Sequence, residues 1–213
     1  MATLVLVHGG LWEDNMDAER FWGRPGILDG LRRAGFTVSA PDRAVRAMSW
    51  DAEAEHLAAL LPPGPLVVVA GSNGCSTAVA LALSRPVLVE RLLLAWPATA
   101  GDPVIDRPAA RTMVAMGADP GTAEAMLAGD TLRGFTDAQL GALDLPVGVL
   151  PSIASPYHRR GTVDALLKAV PDAVELVPAT PEPPRPEFEA YRDEFVAVVT
   201  GFATEHDVIT STW

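Results

Sequence analysis

The stretch 67-VVVAGSNGCSTAVALAL-83 decides how this chain is read. A β-branched apolar run stops at Gly71, passes through Ser72 and Asn73, and resumes at Gly74 as a helical run of small residues. Continuously apolar strands are those covered on both faces. A strand that bends sharply into a helix presents the side chain at the bend beyond the sheet's carboxyl edge, where ligands of open parallel sheets bind. Two registers of a G-x-S-x-G turn compete. One, on 71–75, puts Asn73 at the bend; the other, on 70–74, puts Ser72 there with Ala70 as its outer residue. The second places Gly74, Cys75 and Ala78 where the helix must pass close to its strand, so Ser72 is the candidate nucleophile. The competing reading is a serine that merely caps the 74–84 helix.

Outward from this turn the same alternation continues. Strands are expected at 3–8, 36–40, 65–71, 91–96, 146–151 and 173–178, and helices at 17–35, 49–61, 74–84 and 162–170, with a last helix over about 188–203. Gly35 is a helix stop, and Thr136 with Gln139 is a capping-box start. Strand–helix alternation predicts an α/β fold: a doubly wound, mainly parallel sheet of about six strands with right-handed crossovers. Residues 98–143 interrupt the rhythm with two or three helical patterns and no strand. They are expected to form a short helical lid inserted into a core made of 1–97 and 144–204, with 205–213 as a polar tail.

Composition narrows the function. With 213 residues, 49% of them hydrophobic, the chain can bury one sizeable core. Lys and Arg number 16 against 27 Asp and Glu, a net charge of −11 without a basic cluster, which argues against nucleic acid and anionic membrane partners. The single cysteine, Cys75, cannot form an intrachain disulfide and fits a reducing cytoplasm. The opening MATLVLVHGG has no basic region, and its apolar run is too short for a signal peptide. No His/Cys/Asp/Glu spacing predicts a metal, and the first strand–helix loop lacks the dinucleotide glycine pattern, so no cofactor is expected.

Two loops at the carboxyl edge carry the chemistry: His8-Gly9-Gly10-Leu11-Trp12 and Ala70-Gly71-Ser72-Asn73-Gly74. With the strand order, they resemble the α/β-hydrolase superfamily over nearly the whole chain, without the two strands that often begin that fold. The resemblance implies an oxyanion hole built from the backbone N–H of Asn73 and of Gly10 or Leu11, and a structural His8. It also implies an acid after the 146–151 strand and a histidine after the last strand. Those positions fall on Ser155 and Glu182.

A serine hydroxyl needs a base. Three sources are open: Glu182 itself with a raised pKa, His158 folding inward from 151-PSIASPYH-158 with Glu182 orienting it, or an acid from Asp102 or Asp106. Against these stand a solvent-facing His158 in a polar loop and a Glu182 that only pairs with Arg185. His206, in the tail, is a remote candidate. Trp12 and Trp96, which follow strand ends, and Ser155 are expected to line an apolar substrate pocket.

The expected function is a serine-dependent hydrolase of an ester, thioester or lactone bond in a mostly apolar small molecule, with a non-standard base. Two alternatives stand beside it: a lyase, isomerase or cyclase using carboxylate acid/base chemistry, and a catalytically dead binding relative.

Overall fold

Six strands form one sheet in the order β2-β1-β3-β4-β5-β6, every neighbouring pair parallel. The structure, a computed structural model, describes residues 2–153 and 155–204, so the expected tail and His206 lie outside the described residues. The strands are β1 (Thr3–Val7), β2 (Thr37–Ser39), β3 (Leu66–Gly71), β4 (Val89–Ala95), β5 (Val147–Leu150) and β6 (Val174–Glu175). The helices are α1 (Ile27–Arg33), α2 (Trp50–Ala58), α3 (Gly74–Ser84), α4 (Pro103–Ala115), α5 (Pro120–Leu127), α6 (Asp137–Leu140), α7 (Arg160–Ala169) and α8 (Arg192–Thr204).

The alternating side chains of the central strands explain the layering. Val5, Val7, Val68, Ala70, Leu92 and Leu94 join one core with Leu57 of α2, Val79 of α3 and Leu166 of α7. Leu4, Leu6, Val67, Val69, Leu93 and Ala95 join another with Leu31 of α1 and Phe195 and Val199 of α8. Because both faces are covered, β3 is buried along its whole length. Since the strands are parallel, the carboxyl ends of β1, β3, β4 and β5 open on one edge, which carries the 8–12 loop and the Ser72 bend.

Three expected elements differ. The last helix, expected over about 188–203, opens as a 3-10 helix, Pro186–Tyr191, and is α-helical only from Arg192. The helix expected over 17–35 is split into a π-helical turn, Glu19–Gly23, and α1, because Pro25 and Gly26 intervene and Gly26 takes a left-handed φ of 80°. The last strand, expected over 173–178, is a two-residue exposed edge strand, because only Val174 and Glu175 pair with β5. The capping box at Thr136 and Gln139 forms. Between β4 and β5 lie α4, α5 and α6, with Asp102, Asp119 and Thr136 as their N-caps.

Candidate active site

At the end of β3 the chain bends at Ser72, whose φ of 53° is a left-handed value costly for any residue but glycine. Close packing enforces the bend. A Cβ on Gly74 would lie 2.5 Å from the His8 carbonyl oxygen and 2.7 Å from that of Val7, so α3 can start against β1 only with glycine there. A Cβ on Gly71 or Gly9 would strike the Phe21 ring at 2.7 and 2.6 Å. Cys75 is fully buried, its thiol directed at the carbonyls of Ala70 and Ala95, and burial pushes its pKa up. It is packing, as the small-residue pattern predicts, and is held as an unreactive thiol.

The Ser72 hydroxyl lies 2.9 Å from Nε2 of His158. His158 reaches it from the loop between β5 and α7 and is 5% exposed, so the alternative of a solvent-facing histidine is overturned. The same Nε2 lies 2.9 Å from Oε2 of Glu182, while Oε1 of Glu182 pairs with Arg185 at 3.1 Å. Glu182 thus makes both contacts considered for it, one with each oxygen. On the far side of the ring, Nδ1 lies 3.2 Å from the Ser155 hydroxyl, which also accepts from the Tyr157 N–H. Ser155 stands where the resemblance expects an acid, and Glu182 meets the imidazole at the nitrogen that faces the serine. Asp102 and Asp106 contribute no acid here, because they pair with Arg159 and Arg133.

The loop bearing Glu182 is placed by the core. Trp96, at the end of β4, donates its indole N–H to Thr180 Oγ1 at 3.0 Å, and Ser152 and Thr180 form an isolated bridge. Trp96 stacks on Phe195 with ring centroids 5.0 Å apart and meets Phe188 edge-on. It is therefore not a pocket residue, contrary to expectation. Trp12 does not line the cavity in front of Ser72 either: its indole donates to the Ala47 carbonyl and its ring packs behind the loop. Both have positive φ, 51° and 55°, and both side chains are buried in the core. Ser155 also lies off the cavity wall, behind the imidazole.

The cavity in front of Ser72 encloses about 390 Å³. Its floor holds Ser72, Asn73, His158 and Glu182; Gly10 and Leu11 form one side, with Glu13 beside them. The rest of its lining is largely apolar and includes Met16, Phe21, Ile105, Pro108, Ala109, Tyr157, Pro183 and Pro184. Ile105, Pro108 and Ala109 belong to α4. Asp14, adjacent to Glu13, turns outward to Arg46.

Two buried arginines at the site were not singled out from the sequence. Arg133 lines the cavity, donating to Asn73 Oδ1 at 2.8 Å and to Asp106 at 3.0 Å, which ties the 98–143 segment to the bend. Burial lowers its pKa, with Asp106 opposing that shift. Arg43 lies behind the 8–12 loop against Glu53. One signal for the second was present in the sequence. Trp50, Glu53, Ala54 and Leu57 share a helical face, and a carboxylate inside an apolar stripe requires a cationic partner. His8 is neutral, its pKa lowered to about 4, first by burial and then by Arg43.

No family model and no curated protein sequence matches the chain. Solved structures do. An enol-lactonase from Burkholderia xenovorans LB400 superposes with a TM-score of 0.69 at 15% identity, covering 96% of this chain and 92% of its own. A meta-cleavage product hydrolase from Pseudomonas fluorescens IP01 gives 0.66 at 15% identity, covering 95% and 90%. The thioesterase domain from the curacin biosynthetic pathway gives 0.60 at 16% identity, covering 94% and 90%. The chain has the α/β-hydrolase fold.

Among the described residues no group of three His, Cys, Asp or Glu side chains can hold a metal ion. No helix among them is long and apolar enough to cross a membrane.

Proposed function

We propose that the protein is a serine hydrolase that cleaves an ester, thioester or lactone of a compact, mostly apolar small molecule. The observation that carries this reading is the 2.9 Å approach of Ser72 Oγ to His158 Nε2 at the floor of the cavity. In this reading Nδ1–H donates to Ser155, leaving the Nε2 lone pair to accept the Ser72 proton as Oγ attacks the carbonyl carbon. The new N–H on Nε2 is then shared with Glu182, whose charge stabilises the imidazolium on the nitrogen that received the proton. Negative charge on the carbonyl oxygen falls to the N–H groups of Asn73 and of Gly10 or Leu11, for which no acceptor exists among the described residues. Collapse breaks the carbon–heteroatom bond, and the leaving oxygen or sulfur takes the proton from Nε2. Water then attacks the acyl-serine, gives its proton to Nε2, and Ser72 recovers a proton as the acid departs. The 98–143 segment acts as the lid, since α4 supplies Ile105, Pro108 and Ala109 to the apolar lining. An enol-lactonase and a thioesterase domain among the structural neighbours support the bond classes named, at the level of fold.

The test is labelling by a fluorophosphonate together with hydrolysis of a 4-nitrophenyl ester. Both are expected in the native chain and both should vanish in Ser72→Ala. Labelling that survives this substitution refutes the assignment. A second reading, acid/base catalysis without acyl transfer, draws on the Glu182 carboxylate beside His158. It predicts no labelling, with proton exchange on a carbonyl compound lost in Glu182→Gln.

A further inference from the structure

Behind the 8–12 loop, Arg43 is buried and uses every arm of its guanidinium. Nη1 donates toward the carbonyls of His8, Gly9 and Gly10 at 3.0, 3.2 and 2.8 Å. Nε and Nη2 donate to the two oxygens of Glu53 at 2.7 and 2.9 Å. Glu53 Oε2 also accepts from Thr77 Oγ1 at 2.5 Å, and Thr77 belongs to α3, the helix that starts at the Ser72 bend. The Arg43 backbone N–H donates to His8 Nε2 at 3.0 Å, and His8 Nδ1–H donates to the Gly9 carbonyl.

This network has a directional consequence. In a trans peptide the C=O and the following N–H point in opposite directions. Drawing the Gly9 and Gly10 carbonyls toward Arg43 turns the N–H groups of Gly10 and Leu11 the other way, and both residues line the Ser72 cavity. A buried ion pair is weak evidence for stability, because desolvation consumes most of the attraction. Three backbone carbonyls converging on one nitrogen are instead a way to set peptide orientation.

We propose that Arg43 is a positioning residue for the reaction at Ser72. It fixes the Gly9–Gly10 and Gly10–Leu11 peptides with their N–H groups toward the developing oxyanion. Through Glu53 and Thr77 it also sets their distance from the Asn73 N–H at the start of α3. This inference rests on the serine-hydrolase reading. The planar fork of arginine is essential, since a single lysine nitrogen cannot bind Glu53 bidentately and gather the carbonyls as well.

The experiment compares the native chain with Arg43→Lys and Thr77→Val. It measures kcat and KM for 4-nitrophenyl butyrate, inhibition by a phenylboronic acid that forms a tetrahedral anion on the serine oxygen, and crystal structures of the loop. Arg43→Lys is expected to lower kcat about 10²-fold to 10³-fold, the range for a lost oxyanion donor, with KM within about threefold. Boronate affinity should fall by a similar factor, whereas a purely stabilising residue would change the melting temperature without altering the ratio of boronate affinity to KM. Thr77→Val should lose roughly tenfold in both. Unchanged kcat and boronate affinity in an active background overturn the inference while leaving the hydrolase reading intact. If Arg43→Lys fails to fold, Thr77→Val decides on the same readouts. A native chain inert to ester and boronate defeats the hydrolase reading and the catalytic role of Arg43 with it; the crystal structures then decide the separate point of loop orientation, which rotated Gly10 and Leu11 peptides in either variant would uphold and unaltered ones would overturn.

Discussion

Ser72 Oγ and His158 Nε2 lie 2.9 Å apart although 86 positions separate the two residues in the chain. Their meeting depends on two independent supports: the strained bend after β3, and the loop after β5 that rests its imidazole on Ser155. If this pair performs nucleophilic attack, His158→Ala and Ser72→Ala should each reduce kcat for an activated ester by about 10⁴-fold or more, and the double variant little further. Steady-state kinetics checks this; losses that multiply would mean that the two side chains do not act as a unit.

Glu182→Gln keeps the shape of the side chain and removes its charge from His158 Nε2. The proposed mechanism places that charge beside the imidazolium formed during attack, so kcat should fall about 10²-fold with KM nearly constant. The contact of Oε1 with Arg185 provides an internal control. Arg185, 39% exposed, contributes little to stability, and Arg185→Ala should cost less than about 1 kcal/mol in chemical denaturation.

Gly74→Ala should destabilise the protein by about 2 kcal/mol or more. The added carbon meets the backbone carbonyls of Val7 and His8, which cannot rotate aside as a flexible side chain would. Relief can come only by moving α3 from β1, which also displaces Ser72, so activity should fall with stability. A variant of native stability in urea denaturation would contradict the close approach.

Stability should depend on pH through His8. Its folded pKa, about 4, lies below the 6.5 of an unperturbed imidazole. Between those values the unfolded chain binds more protons, so stability is full above about pH 6.5 and declines as pH falls toward 4. The shift corresponds to roughly 3 kcal/mol at its limit. His8→Asn retains an amide donor and acceptor and does not titrate, and should flatten this part of the profile. Melting temperatures from pH 7.5 to 4 measure the difference, and parallel profiles would exclude His8 as the source.

Much of this arrangement is local and therefore legible in the chain itself. The apolar runs that become β1, β3, β4 and β5, the helix beginning at Gly74 and the glycines of the 8–12 loop each follow from short-range rules of burial, pleat and steric clearance. Ser72 was identifiable for the same reason: a bend with small residues on both sides leaves one position for an outward side chain. The helix expected over 17–35 was misread in length because its breaker, Pro25-Gly26, lies within an otherwise helical pattern.

What the linear order determined on its own is the parallel layered core and the serine at its edge, since periodicity and packing room are properties of neighbouring residues. Which base faces that serine, where Trp12 and Trp96 point, and why Arg43 is buried were decided only by the tertiary structure. Each depends on side chains brought together from loops on different strands, where the histidine can come from the loop after β5 and the carboxylate from the loop after the last strand if the backbone carries both to the same point. No short-range pattern encodes that distance.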